Sequence, residues 1–267
     1  MGQAAAKRSL GQNFLVDLGV VARIVQAAGI CQDETVVEIG PGRGALTPGL
    51  RGLASQLVCI EKDDELAPAL AARFVDDDAA QVVHGDALTL LPTDLPFPGP
   101  YRVVANLPYN MAARITMHLL EDWGDSLRSA TMMYQLEVAE RLAAAPGTKA
   151  YGALSVLVQS FCEVWPLFQV PPGSFRPVPK VQSAVVRLSR RPEPLWQTLD
   201  YSWFRKVVHA GFYARRKTLV NSLRFAGLEK DADEIRAALD QASIHPERRG
   251  DSISVLEFVE LARIMAG

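Results

Sequence analysis

The feature that most constrains this chain is a regular alternation of short β-branched runs with helical patterns, interrupted after the first run by a glycine-rich turn. Thr35-Val36-Val37-Glu38-Ile39 reads as a strand, and residues 45–53 as a helix. Residues 56–60 predict a strand, 63–74 a helix and 81–83 a short strand. Strands over 101–105 and 131–134 alternate with helices over 112–120 and 137–144. An amphipathic helix over 16–28 precedes the series, with Asp17 at its start and Gly29 as its C-cap. Such alternation implies an α/β fold, a mostly parallel sheet with helices on both faces. Sheets of this kind bind ligands at the carboxyl ends of their strands.

The texture then changes. Residues 166–179 read as a proline-rich loop, 181–188 as one last strand and 190–194 as a linker. Helical periodicity follows over 204–212, 217–225, 232–239 and 254–265. The sequence therefore predicts two domains, 1–193 and 194–267, the second small and all-α. With 267 residues, 49% of them hydrophobic, both domains have enough apolar surface for a core.

Composition excludes several classes. No run approaches the roughly 18 apolar residues of a membrane span. Residues 1–10 lack the apolar stretch of a signal peptide, and Ala6 stands where N-myristoylation needs Ser or Thr. A cytoplasmic protein is expected. Cys31, Cys59 and Cys162 are far apart, with no metal-ligand spacing, and read as small buried hydrophobes. His84, His118, His209 and His245 are scattered, so no metal site is expected. The net charge of −2 conceals an asymmetry. Residues 1–175 hold 12 Lys+Arg against 19 Asp+Glu, and residues 176–267 hold 16 against 11. A basic C-terminal third on an acidic body points to a polyanionic partner.

The first chemical motif is Glu38-Ile39-Gly40-Pro41-Gly42-Arg43-Gly44, at the end of the first strand of the alternating series. Its glycines let backbone approach a ligand closely. Its spacing is not the G-x-G-x-x-G of dinucleotide enzymes, and the methionine part of S-adenosylmethionine suits such a loop as well as a pyrophosphate would. Glu61 ends the next strand, where a carboxylate can accept both ribose hydroxyls. Asp86 follows the third, where it can accept a hydrogen bond from an adenine amino group.

The second motif is Asn106-Leu107-Pro108-Tyr109. It fits the [Asn/Asp]-Pro-Pro-aromatic pattern of amino-group methyltransferases, with Leu in place of the first Pro. The N6 lone pair of adenine is delocalised into the ring, so the amine is a poor nucleophile. An Asn side-chain oxygen and a backbone carbonyl can each accept one N6 hydrogen, which favours a pyramidal nitrogen. Pro108 holds Leu107 extended, and Tyr109 offers a stacking face worth ~1–3 kcal/mol. Phe175, on a proline-stiffened loop, is a second stacking candidate, since a base must be extruded to be modified.

Together, Gln12-Asn13-Phe14-Leu15, the glycine motif, Asn106-Leu107-Pro108-Tyr109 and Phe175-Arg176-Pro177-Val178-Pro179-Lys180-Val181-Gln182-Ser183 resemble the rRNA adenine N6,N6-dimethyltransferases, in particular their bacterial small-subunit members. The resemblance runs from about Ser9 to the end of the chain. It implies a Rossmann-like methyltransferase domain with a central, mostly parallel seven-stranded sheet. It implies that Asn13 and Leu15 join Gly40, Glu61, Asp86 and Asn106 around S-adenosylmethionine. It further implies dimethylation of two adjacent adenosines near the 3′ end of 16S rRNA in an immature small ribosomal subunit, by a monomer. Its helical domain would dock on that particle, and Arg215-Arg216-Lys217-Thr218-Leu219-Val220-Asn221-Ser222-Leu223 resembles the signature of that domain. The positive excess concentrates at Arg205-Lys206, Arg215-Arg216-Lys217 and Arg248-Arg249, and Arg215, Arg216, Lys217 and Arg248 are the expected RNA ligands, with Lys7-Arg8 the next place to look. Met111-Ala112-Ala113 departs from the family's Ile-Ser-Thr-like stretch. The rivals are a large-subunit rRNA adenine methyltransferase of the macrolide-resistance type, a mitochondrial transcription-factor relative, a nicotinamide dehydrogenase and a non-catalytic ribosome assembly factor.

Overall fold

The computed structural model describes residues 12–228 and 230–267. The Lys7-Arg8 segment and the start of the resemblance near Ser9 lie outside the described residues.

In chain order the elements begin with β1 (Phe14–Leu15), α1 (Leu18–Ala28), β2 (Thr35–Ile39), α2 (Thr47–Arg51), β3 (Gln56–Glu61) and α3 (Leu66–Ala71). There follow β4 (Ala80–His84), β5 (Tyr101–Asn106), α4 (Tyr109–Asp122), β6 (Leu127–Gln135), α5 (Leu136–Leu142), α6 (Ala153–Phe161) and β7 (Cys162–Val170). The series closes with β8 (Phe175–Arg176), β9 (Ser183–Arg190), α7 (Tyr201–Gly211), α8 (Leu219–Phe225), α9 (Ala232–Gln241) and α10 (Val255–Ala266). Two compact units result. One joins the described residues up to Ala139 with Trp165–Arg190; the other joins Glu140–Val164 with Arg191–Gly267. A single cut at residue 193 misses that the second unit takes a segment from the middle of the chain.

The first unit is built on a seven-stranded sheet of order β4-β3-β2-β5-β6-β9-β7. The β4-β3, β3-β2, β2-β5 and β5-β6 pairs are parallel, and β6-β9 is antiparallel. The order reverses between β2 and β5, which places the crevice at their carboxyl ends. β2 is buried along its whole length, as a central parallel strand covered on both faces must be. α1 starts where the Asp17 carboxylate accepts the Gly19 and Val20 N–H groups, and stops at Gly29 in the left-handed conformation. Its Val20, Ile24 and Ala28 form the buried stripe. Below the sheet, buried Glu34 accepts two bonds from Arg102, at 2.7 and 2.6 Å, and one from Arg128 at 2.6 Å. Arg102 hydrogen-bonds and burial act in opposite directions on Glu34, and the arginine wins, holding its pKa down at about 2.

Two elements differ from expectation. Residues 166–170 continue strand β7, although Pro166 suggested a loop. A proline removes a ladder donor, which an edge strand tolerates, and β7 is the sheet's edge. α6 went unread because it is short and mostly apolar, with Val156, Leu157, Val158 and Phe161 buried together and even its Ser155 and Ser160 buried, and a short apolar run does not distinguish helix from strand.

The second unit is helical. Capping boxes open α9 at Asp231 and Glu234 and α10 at Ser254 and Glu257. The Phe212 and Phe258 rings stack at 5.6 Å, and the buried Tyr151 hydroxyl donates to the Ile253 carbonyl at 2.9 Å. Cys59 and Cys162 are buried, as read, but Cys31 is exposed.

Candidate active site

The glycine turn, β3, the segment after β4 and β5 deliver Gly40, Glu61, Asp86 and Asn106 to one cavity of about 370 Å³. Asn13, Leu15, Leu107 and Pro108 line it as well. All lie in the first unit, so eight of the expected positions converge although up to 95 residues separate them in sequence (13 to 108).

Glu61 organises the centre. It is 6% exposed, and its carboxylate accepts the Gly42 N–H and the Asp63 N–H, each at 2.9 Å. Its carbonyl accepts the Gly85 N–H, also at 2.9 Å. One residue thus binds the glycine loop to the ends of β3 and β4. Gly40, Gly42 and Gly44 have φ of 66°, 56° and 79°, a region that penalises any side chain. A Cβ on Gly42 would also stand 3.1 Å from the Phe14 ring.

Asp86 is less free than its position suggested. Its carboxylate accepts Lys62 Nζ at 2.7 Å and the Leu88 N–H at 3.0 Å. Burial pushes its pKa up, but Lys62 and the Leu88 N–H outweigh burial and hold it below the ordinary value. Lys62, which lines the cavity, was not anticipated, because a lysine after a strand reads as a surface charge. Glu38, quoted at the head of the glycine motif without a role, is a further wall residue. Burial pushes its pKa up to about 7, against bonds from Thr47 Oγ1 at 2.6 Å and Cys59 Sγ at 3.7 Å.

On the target side, β5 ends at half-buried Asn106, and Pro108 at φ −56°, ψ 130° turns the chain into α4. Tyr109 is the first residue of α4, and Asn110 and Met111 reach the cavity. Of the departing Met111-Ala112-Ala113, only Met111 therefore touches the site, and Ala112 is buried. The Tyr109 hydroxyl is 2.7 Å from Ser183 Oγ at the start of β9. Burial raises the Tyr109 pKa, with Ser183 opposing. This bond joins the Asn-Leu-Pro-Tyr turn to the end of the Phe175–Ser183 motif, and Ser183 is a positioning residue that sequence reasoning quoted without a role.

Phe175 is not placed to stack on a base. It is 1% exposed, lies in the hydrophobic core and faces Leu15 across the antiparallel β1-β8 pair. The strand's alternation turns Phe175 inward and Arg176 outward. Its part is to anchor β1, whose residues line the cavity.

Two of the four expected RNA ligands are engaged within the second unit. Arg215, in the turn after α7, donates to the Lys149 and Tyr151 carbonyls at 3.1 and 3.0 Å. Arg248 is half-buried, pairs with Glu257 and donates to Ser252 Oγ at 3.3 Å. Arg216 and Lys217 are exposed. Among the described residues no His, Cys, Asp and Glu group is arranged to hold a metal, and no helix is long and apolar enough to cross a membrane.

Residues 3–262 match the family model described as ribosomal RNA adenine dimethylase. The chain is 43% identical to ribosomal RNA small subunit methyltransferase A of Shouchella clausii, over 96% of this chain and 88% of that one. It is 42% identical to the protein of the same description from Geobacter metallireducens, over 97% and 95%. Among solved structures, a dimethyladenosine transferase from Plasmodium falciparum superposes with a TM-score of 0.79 at 25% identity, over 93% of this chain and 95% of that one. The 23S rRNA methyltransferase ErmE superposes with a TM-score of 0.72 at 29% identity, over 96% and 100%. A cavity ringed by the glycine loop, the β3 carboxylate and Asn106, Leu107 and Pro108 of the turn after β5, with Tyr109 beside it in sequence but not in its lining, is thus found in a chain matched along nearly its whole length, and the chain belongs to the ribosomal RNA adenine dimethylase family of methyltransferases.

Proposed function

We propose that this enzyme transfers methyl groups from S-adenosylmethionine to N6 of two adjacent adenosines near the 3′ end of 16S rRNA, within an immature small ribosomal subunit. The observation that carries the reading is the placement of Asn106, Leu107 and Pro108 on the same cavity as Gly40, Glu61 and Asp86. The small-subunit substrate is supported by relatives at 42–44% identity whose descriptions name that subunit. The protein acts as a cytoplasmic monomer, its helical unit docking on the particle.

The residues present fit this cofactor. The glycine loop exposes backbone to the ligand, and two further lone-pair directions on the Glu61 carboxylate remain for ribose hydroxyls beside the two N–H bonds it accepts. Asn13 and Leu15, beside and on β1, line the same cavity. When bound, S-adenosylmethionine supplies an electrophilic methyl group on a sulfonium centre. Asn106 Oδ1 and the Leu107 carbonyl each accept one N6 hydrogen and aim the nitrogen lone pair at that carbon. Transfer would form the N6–C bond at the expense of the cofactor's S–C bond, and the proton lost from N6 would leave to water, so Asn106 and Leu107 need only orient the amine. Positioning supplies most of the rate, because no strong base is required. Tyr109, steadied by Ser183, is the stacking face.

The test is methylation of small subunits from an unmodified strain, with the products mapped on the RNA. Dimethylation of two adjacent adenosines near the 3′ end is expected. Methyl groups appearing on large-subunit RNA instead would overturn the reading. In single-turnover assays Asn106→Ala lowers transfer at least a hundredfold with particle affinity held. Tyr109→Phe keeps the ring and is milder than Tyr109→Ala.

A further inference from the structure

The second unit carries a groove that the chemistry above does not use. Ser202, Arg205, Lys206, His209 and Tyr213 form one wall, and Leu228, just past α8, forms part of the other. Its volume is about 390 Å³. Positions 202, 205, 206 and 209 fall on one stripe of α7, by the three- and four-residue spacing of a helix. The opposite stripe, Phe204, Val207 and Val208, is buried and accounts for the fold of the helix. The groove stripe serves no core: Arg205, Lys206 and His209 are exposed. Among the described residues, none that lines the groove is acidic. Arg205 and His209 stand one turn apart, about 6 Å along the axis, within reach of neighbouring phosphates on one strand. Tyr213 is 67% exposed at the end of the stripe. Cations set beside an exposed aromatic ring match a polyanion that also carries flat faces. An acidic peptide would satisfy the cations and leave the ring without a partner.

We propose that the α7 groove binds a single-stranded stretch of rRNA, with phosphates on Arg205 and Lys206 and one unstacked base on Tyr213. The proposal rests on the reading that rRNA is the substrate. It adds a binding site outside the cavity, on residues other than Arg216 and Lys217. Recognition here is of backbone and of a base face, so it is tolerant of sequence.

Two probes test it: small subunits from an unmodified strain, and a labelled, protein-free single-stranded RNA of about eight nucleotides, within the site size of single-strand binders. The full-length chain is compared with Arg205→Ala/Lys206→Ala, Tyr213→Ala and Tyr213→Phe, with cofactor affinity by calorimetry as the check on folding. The double variant binds both probes about tenfold more weakly, and its salt slope for the oligonucleotide falls by about 1.4, for two phosphates on a single strand. Tyr213→Ala costs about tenfold on the oligonucleotide, whereas Tyr213→Phe binds as wild type. Oligonucleotide affinity and slope unchanged in the double variant overturn the proposal. Loss of particle binding with oligonucleotide binding intact means that a ribosomal protein fills the groove, which also overturns it. Failure of the wild type to methylate small subunits would sink the substrate reading, while the oligonucleotide measurements still decide the groove.

Discussion

Glu61 joins structure and ligand at a single side chain. Its carboxylate accepts the Gly42 and Asp63 N–H groups, the first on the cavity wall and the second buried. Glu61→Ala therefore removes the ribose acceptor and loosens the glycine loop together. Charge-assisted bonds of ~1.5–3 kcal/mol are at stake, so S-adenosylmethionine binding weakens ten- to a hundredfold by calorimetry. Unchanged affinity in a folded variant would remove Glu61 from the cofactor site. Glu38, in the same wall, has the opposite character. Its pKa rises from 4.5 to about 7 because burial disfavours the charged form. The folded state then holds this proton more tightly than the unfolded chain. The stability it contributes is present at low pH and is lost as pH rises from 4.5 through about 7. Glu38→Gln, uncharged at every pH, is expected to stabilise the protein by up to about 3 kcal/mol near pH 8 and to change little below pH 5. Urea midpoints at the two pH values measure this, and equal effects at both would show that Glu38 does not titrate.

Elements were legible where a single period or cap announced them. Asp17 and Gly29 bracket α1, and the β-branched runs of β2 and β3 lie within a residue of their expected ends. β7 and α6 were illegible for opposite reasons. Whether Pro166 breaks a strand depends on whether that strand has a second neighbour, and α6 is a short, mostly apolar run that reads equally as a buried strand. Packing between segments distant in sequence was equally hidden. At Gly250 a Cβ would stand 2.2 Å from the Gly211 carbonyl oxygen, on backbone that cannot swing away. Gly250→Ala is expected to destabilise the helical unit by about 1–3 kcal/mol, read as a lower urea midpoint for tryptophan fluorescence. A midpoint equal to wild type would mean that the α7 end and the 250–252 turn separate at little cost.

At the scale of the whole molecule, the charge asymmetry carries the functional consequence. The positive excess of residues 176–267 is not all available to RNA, since Arg215 holds the 149–151 backbone and Arg248 pairs with Glu257. Arg216 and Lys217 remain exposed. Arg216→Ala/Lys217→Ala is therefore expected to weaken particle binding and lower the salt slope by about 1–2, each phosphate contact contributing somewhat under one. Arg215→Ala should instead show first as lost stability. Salt titrations of particle binding, paired with thermal melts, separate the two. If Arg215→Ala flattened the slope at full stability, its carbonyl contacts would be incidental.

The sequence by itself determined the α/β order of the first unit, the helical character of the chain's end, and the cavity residues Asn13, Leu15, Gly40, Glu61, Asp86, Asn106, Leu107 and Pro108. For Gly40, Glu61, Asp86, Asn106, Leu107 and Pro108 this follows from a local rule, since a parallel sheet sends every strand's carboxyl end to one edge, and residues at those ends must meet; Asn13 and Leu15, on or beside the separate β1-β8 pair, were legible only through the family resemblance. The tertiary structure alone decided the rest. It buried Phe175 against Leu15, tied Tyr109 to Ser183, set Lys62 on Asp86 and drew Arg215 and Arg248 into the fold. Each of these depends on which side chain another segment presents to it. That is a property of packing between distant parts of the chain, and neither periodicity nor motif spacing encodes it.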